Sequence, residues 1–190
     1  FFRNIIFCFM YKIVFQTHDA LNYFPKAVRK KSVVIPNPLS PTLIKPYNGI
    51  RTKEFVTFCR IDKQKNLPLL INSFIKVHQK HPEYSLKIYG NGLLEDEIKA
   101  LIKKKDASVY IKMYDFSSNI HEKIKNSFAY INSSDYEGMS NSMLEALAIG
   151  IPSICTDCPI GGAKMVIKNM NNGILVPVNN EDKMIEAMNL

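Results

Sequence analysis

From Phe55 onward, short apolar runs alternate with longer segments whose apolar positions recur every three or four residues. Phe55-Val56-Thr57-Phe58-Cys59, Leu86-Lys87-Ile88-Tyr89, Val109 to Met113, Phe128-Ala129-Tyr130-Ile131, Ser153-Ile154-Cys155 and Gly173-Ile174-Leu175-Val176 each predict a strand. Between the first two, Leu67, Leu70, Ile71, Phe74 and Ile75 keep the i, i+3, i+4, i+7, i+8 rhythm of an amphipathic helix. Asn66 is placed to cap it and Pro82 to end it. Helices are also predicted around Leu94, Ile98, Leu101 and Ile102, over Ile120 to Ile124, over Met143 to Ala148, around Met165, and over Glu181 to Leu190. Strands alternating with helices mean βαβ units and a parallel sheet. Ligands of such sheets sit at the carboxyl ends of the strands.

Upstream the pattern changes. Lys12 to Thr17 and Val33-Val34-Ile35 read as short strands, with a helix around Ala20 to Phe24 between them. Pro36-Asn37-Pro38-Leu39-Ser40-Pro41, then Pro46 and Asn48-Gly49, exclude regular structure and predict a linker over residues 36–53. The chain thus divides into a tail of a neighbouring domain (1–35), the linker, and an α/β domain (54–190). Phe1 to Phe15 is apolar, but Arg3, Asn4 and Lys12 interrupt it. It is also shorter than the roughly 20 residues a bilayer span requires. It reads as a helix and the start of a strand. Phe1 in place of Met, and a helix cut short at Leu190, predict a fragment.

At 190 residues, with 46% hydrophobic and 22% charged residues, the composition suits an ordinary soluble α/β protein. The net charge of +8 is carried mostly by lysine, with clusters at Arg29-Lys30-Lys31 and Lys103-Lys104-Lys105. That excess suits anionic ligands or peripheral contact with an anionic membrane; the plain alternative is a solvated lysine-rich face. No recognised nucleic-acid motif accompanies it, so no nucleic-acid partner is expected. Cys8, Cys59, Cys155 and Cys158 make no disulfide framework. Cys155-Thr156-Asp157-Cys158 lacks the second close pair of a zinc site, and Pro159 stands where a thioredoxin-like helix would run. Core and loop cysteines of a reducing cytosol are the simpler reading.

The chemistry gathers at the predicted strand ends. The stretch from Glu137 to Gly150 places two carboxylates around a polar loop that enters a helix, which Gly150 and Pro152 close. Ser140, Asn141 and Ser142 are all good N-cap residues. An exposed helix start offers unpaired N–H groups and a favourable dipole to an anion. Ser142-x-x-Glu145 also fits a capping box, which would give Glu145 a purely structural task. Arg60 to Lys65 brings cations to the same edge, either as half of a diphosphate clamp or as a solvated basic loop. Gly90-Asn91-Gly92 lacks the third glycine of the dinucleotide fingerprint, since Glu95 stands there. It is either a close-approach site for a ligand or a tight turn. A glycosidase pair at Glu137 and Glu145 is disfavoured, because eight helical residues span about 12 Å at 1.5 Å each against the roughly 5 to 9.5 Å required.

These residues resemble a known family. Glu137-Gly-x6-Glu145-Ala-x3-Gly150-x-Pro152 resembles the donor-binding motif of retaining glycosyltransferases of family 4, which have the GT-B fold. Phe58-Cys59-Arg60-Ile61-Asp62-x-x-Lys65-Asn66 is similar to that family's Gly-Arg-Leu-x-x-x-Lys-Gly element, with Cys59 and Asn66 where glycines are usual. Ile88-Tyr89-Gly90-Asn91-Gly92 and Asn172-Gly173-Ile174-Leu175-Val176-Pro177 resemble two further blocks, in the same order.

The resemblance implies a Rossmann-like parallel sheet flanked by helices, the C-terminal half of a GT-B enzyme. It implies transfer of a sugar, with retention, from a nucleoside-diphosphate donor to a glycan or lipid-linked acceptor, as in polysaccharide, lipopolysaccharide or glycan-precursor synthesis. The cytoplasm, at the inner face of the membrane, is the expected setting. Glu137, Arg60 and Lys65 would be catalytic. Glu145 would hold the ribose, Gly138, Met139, Ser140 and Asn141 would cradle phosphate, and Gly90, Asn91 and Tyr114 would border the base. No Asp-x-Asp occurs, so no metal or other cofactor is implied. With most of an acceptor domain absent, the chain would bind donor weakly and transfer nothing alone. Two other readings stay open: a non-catalytic nucleotide- or phosphate-binding module, and a sugar-phosphate isomerase using Glu137 and His121.

Overall fold

The computed structural model describes residues 2–190, apart from the side chains of Phe2, Asn4 and Cys8. Phe1, where the expected N-terminal helix would begin, lies outside the described residues. The N-terminal unit comprises α1 (Phe2–Phe9), β1 (Ile13–Phe15), α2 (His18–Asn22), α3 (Lys26–Arg29) and β2 (Ser32–Val34). β1 and β2 pair in parallel as a separate two-stranded sheet. The Thr17 hydroxyl accepts from Ala20 N at 3.0 Å, which starts α2 two residues earlier than its apolar positions suggest.

The larger unit is built from β3 (Glu54–Phe58), α4 (Leu67–Lys80), β4 (Ser85–Tyr89), α5 (Glu95–Lys104), β5 (Ile111–Tyr114) and α6 (Ile120–Ile124). It continues with β6 (Ala129–Asn132), α7 (Asn141–Ala148), β7 (Ser153–Thr156), α8 (Gly162–Val166), β8 (Gly173–Val176) and α9 (Glu181–Met188). Its six strands are all parallel, in the order β5-β4-β3-β6-β7-β8. β5 begins later than expected. Val109 is 84% exposed in the turn before it, because apolarity alone does not place a residue in a ladder.

Alternation along the strands divides the core in two. Phe55, Leu86, Ile88, Ile131 and Ile154 face α4, α5 and α9, packing on Leu70, Phe74, Ile98 and Met184. Val56, Phe58, Tyr89, Tyr130 and Cys155 face α6, α7 and α8, packing on Ile124, Met143 and Ala146. Every residue of β6 and β7 is buried, as befits strands covered on both faces. Each large side chain so enclosed contributes about 1.5–3 kcal/mol.

Residues 36–53 form no regular element, yet they are stitched to the larger unit. Tyr47 N donates to Ile149 O at 3.0 Å, Thr52 N to Asn126 O at 2.8 Å, and the Arg51 guanidinium to the carbonyls of Ser127 and Gly150. Leu43 and Ile44 pack on the α6–α7 side of the core.

The sheet order decides where a ligand would sit. The chain runs outward from β3 to β5, then returns to the other side of β3 as β6. Neighbouring crossovers therefore leave from opposite faces and open a crevice beyond the carboxyl ends of β3 and β6.

Candidate functional site

The loops after β3 and β6 meet across this switch point. Ser133 Oγ donates to Lys65 O at 2.7 Å, Asp135 N to Gln64 O at 2.9 Å, and Gln64 Nε2 to Tyr136 O at 2.7 Å. Asn66 Nδ2 donates to Asp135 Oδ1 at 2.6 Å. Asn66 also explains how this sequence does without the glycine expected there. It adopts a left-handed conformation (φ 43°, ψ 49°), which asparagine tolerates well, and its Oδ1 accepts from Leu69 N at 3.3 Å to cap α4.

This zipper carries the Lys65 ammonium to Glu137 Oε2, in a pair whose side chains are only 14% and 18% exposed. Ser134 Oγ lies 2.6 Å from Asn132 Oδ1 and 3.3 Å from the same Glu137 oxygen. Arg60 behaves differently. Its side chain is 72% exposed and folds onto Asp62 of its own loop, with Nε 2.6 Å from Oδ2. A carboxylate two residues away is reached at little conformational cost. Of the two cations expected to clamp a diphosphate, Lys65 therefore crosses the switch point and Arg60 stays on the β3 side.

Ser140 is the N-cap of α7: its Oγ accepts from Met143 N at 3.4 Å. The capping box proposed for Ser142 and Glu145 does not form, because the helix begins two residues earlier. Ser142 instead meets the buried Tyr130 hydroxyl at 2.8 Å and Ser140 Oγ at 3.1 Å. Glu145 is freed from capping, and its Oε2 lies 3.0 Å from His121 Nε2. His121 thus stands with Glu145 rather than with Glu137, which removes the geometric basis for the isomerase pair. Gly138, Met139 and Asn141 lie between the two acids, in the loop and first turn of α7. The backbone here is tightly packed: a Cβ on Gly162, at the start of α8, would fall 1.7 Å from Gly138 O.

A cavity of about 410 Å³ opens beside the loop, lined by Phe58, Cys59, Arg60, Tyr89, Gly90, Asn91, Phe116, Ser117 and Ile120. Its size suits a small organic ligand. Gly90 has φ +143°, and a Cβ there would meet Cys59 O at 1.9 Å; one on Gly92 would meet Ile61 O at 2.2 Å. These glycines let two strand-end loops close on each other, so the tight-turn explanation accounts for them without a ligand. Asn91 ties the edge together, donating to Glu95 Oε2 (3.3 Å) and Asp115 Oδ1 (3.0 Å) and accepting from Phe116 N (2.8 Å). Tyr114 does not line the cavity; it stacks behind Tyr89 with ring centroids 4.9 Å apart. Burial pushes the Cys59 thiol up to about 11 and raises Cys158 as well, so neither is poised as a nucleophile.

Sequence reasoning passed over several of these residues. Phe58 and Tyr89 enter the sequence reading as strand residues and as members of two resemblance blocks, with no ligand role, and Phe116 stands outside any periodic run; an aromatic just ahead of Gly90 is the available signal. Ser133, Ser134 and Gln64 carry no spacing motif. Among the described residues, no group of three or more His, Cys, Asp or Glu side chains is arranged to hold a metal ion, and no helix is long and apolar enough to cross a membrane.

Comparison with known proteins agrees with this fold. A family model described as "Glycosyl transferases group 1" matches residues 44–190. An uncharacterized glycosyltransferase of Methanocaldococcus jannaschii is 29% identical over 157 residues, covering 77% of this chain and 39% of that protein. The N-acetylgalactosamine-N,N'-diacetylbacillosaminyl-diphospho-undecaprenol 4-alpha-N-acetylgalactosaminyltransferase of Campylobacter jejuni is 30% identical over 140 residues, covering 74% and 37%. The chain therefore spans between a third and two-fifths of the length of these curated relatives. Among solved structures, HepE of Anabaena in complex with UDP and glucose superposes with a TM-score of 0.83 at 19% identity, covering 98% of this chain and 54% of that one. The pneumococcal O-GlcNAc transferase GtfA in complex with UDP and GlcNAc gives 0.79 at 24%, covering 94% and 37%. Both structures share this fold, that of the C-terminal half of a GT-B glycosyltransferase. A parallel sheet with its switch point between β3 and β6, and a family match across more than half the sequence, lead to one conclusion: the chain belongs to the group 1 glycosyl transferases.

Proposed function

We propose that this chain is the donor-binding half of a retaining sugar transferase that takes its sugar from a nucleoside diphosphate. The observation that carries the proposal is the Lys65–Glu137 pair, held at the switch point beside the capped start of α7. A departing nucleoside diphosphate gathers negative charge. A fixed ammonium and the first-turn amides of a helix stabilise that charge without having to reorganise. Glu137 faces the donor sugar, Glu145 takes the ribose hydroxyls, and the aromatic cavity at Tyr89 and Phe116 receives the base. Arg60, on the rim of that cavity, swings from Asp62 to the diphosphate. Lys65 and Arg60 supply the positive charge, with no divalent ion required. The names and complexes of the relatives support UDP as the first donor to try, and a glycan or lipid-linked acceptor. We place the protein in the cytoplasm, with polysaccharide or glycan-precursor synthesis as its pathway class and its lysine-rich surface against anionic lipid.

Isothermal calorimetry with UDP, GDP and ADP tests this reading. One of the three binds the wild type, and Lys65→Ala weakens it by about tenfold or more, the worth of one charge-assisted hydrogen bond. Glu145→Ala weakens it as well. No binding by the wild type, or binding by both variants as tight as that of the wild type, overturns the proposal.

A further inference from the structure

We infer that Asn37, in the proline-rich crossing between the two units, is a positioning residue that sets the shape of the donor loop and couples it to the N-terminal unit. The inference rests on the reading of the donor site given above. Asn37 lies in Pro36-Asn37-Pro38, where neighbouring prolines restrict the backbone. Its Nδ2 donates to Met139 O at 3.1 Å and to Asn141 Oδ1 at 2.8 Å, across 102 and 104 positions of sequence. The Met139 carbonyl only accepts, so the nitrogen end of the Asn37 amide must face α7. Its oxygen then turns the other way and accepts from Gln16 Nε2 at 2.5 Å. Gln16 directly follows β1, in the N-terminal unit. A Cβ on Gly138 would come within 3.1 Å of Gln16 Oε1, so the same side chain also closes on the loop itself.

One carboxamide thus joins three parts of the molecule: the end of β1, the crossing, and the first turn of α7. Met139 and Asn141 bracket Ser140, the N-cap. Holding the Met139 carbonyl and the Asn141 side chain leaves the first-turn amides of α7 in one arrangement, which is what preorganised anion binding needs. The arrangement also gives the N-terminal unit a mechanical hold on the donor loop. A shift of β1 relative to β6 must move Gln16, then Asn37, then the tip of α7. Neither the glutamate motif nor the basic loop contains Asn37 or Gln16.

The test compares the wild-type chain with Asn37→Ala, and with Asn37→Asp, which keeps the shape but lacks the N–H donors. In both variants, amide hydrogen exchange speeds up at Ser142 to Leu144 while the amides of α9 are unchanged. UDP affinity, or that of whichever nucleoside diphosphate binds the wild type, falls about five- to twentyfold. Asn141→Ala adds little further loss on top of Asn37→Ala, since the two substitutions remove one shared contact. A merely structural role predicts uniform acceleration of exchange and additive losses. Either result, or unchanged exchange at α7 in both variants, overturns the inference. If the wild type binds no nucleoside diphosphate, the reading of the site falls, and the exchange comparison alone decides the part played by Asn37.

Discussion

Lys65 and Glu137 stand 72 positions apart in the sequence, yet share an ion pair that joins the loop after β3 to the loop after β6. Both side chains are largely shielded, so neither charge is well served by solvent once its partner is gone. Lys65→Ala should therefore cost about 1–3 kcal/mol of stability by urea unfolding. Glu137→Gln keeps an acceptor for the ammonium and should cost under about 1 kcal/mol, while sugar transfer by the assembled enzyme falls. Equal destabilisation by the two variants would show that the pair matters only as structure.

The hydroxyl of Tyr130 is fully buried beneath α7 and meets Ser142 Oγ at 2.8 Å. Tyr130→Phe keeps the packing and removes one hydrogen bond, at a cost of about 1 kcal/mol. Ser140→Ala removes the N-cap of the same helix at a similar cost, about 0.5–2 kcal/mol. Because Tyr130, Ser142 and Ser140 form one chain of contacts, the double variant should lose less than the sum, which a double-mutant cycle in urea measures.

Two glycines of the site should respond very unequally to alanine. Gly162→Ala drives a methyl into Gly138 O, a backbone atom that cannot retreat. Loss of about 3 kcal/mol or more, or failure to fold, is expected. Gly138→Ala meets only the far end of the Gln16 side chain at 3.1 Å, and its thermal midpoint should fall by a few degrees at most.

Burial raises the Cys59 thiol from its ordinary 9.0 to about 11, and also raises Cys155 and the Tyr130 phenol. In each case the folded state favours the protonated form. The stability this carries is complete below the unfolded pKa and is lost as pH rises through the folded one. For Cys59 the window is pH 9 to about 11, and its share is on the order of 3 kcal/mol. Urea midpoints should be flat from pH 7 to 8 and fall by pH 10, and Cys59→Ala should make that fall shallower. A fall as steep in the variant as in the wild type would assign the effect to the other groups.

If the proposed reading holds, the 190-residue chain alone should bind a nucleoside diphosphate and transfer no sugar, since it spans only between a third and two-fifths of the length of its curated relatives. Measurable turnover by the isolated chain, in a radiolabelled-sugar assay, contradicts this.

Much of the fold was legible beforehand because it is local. Every strand of the large sheet announced itself as an apolar run, α6 and β8 at the bounds observed, and Asn66 declared its helix start through its own side chain, whereas Ser140, Asn141 and Ser142 were equal N-cap candidates among which the fold selects Ser140. The misplacements were local too: Val109 looked like strand and sits in a turn, and α3 had too few residues to show a period. What tertiary structure alone decided is who meets whom. Arg60 and Lys65 look equivalent in sequence, yet only Lys65 crosses to Glu137, because the loops zip together at Gln64–Asp135 and Asn66–Asp135. Glu145 fits a capping box on paper, yet turns to His121. Asn37 belongs to an unstructured crossing by every sequence criterion, yet reaches α7. Periodicity is set by neighbours along the chain, whereas these pairings are set by strand order, which brings together the ends of β3 and β6 from distant parts of it.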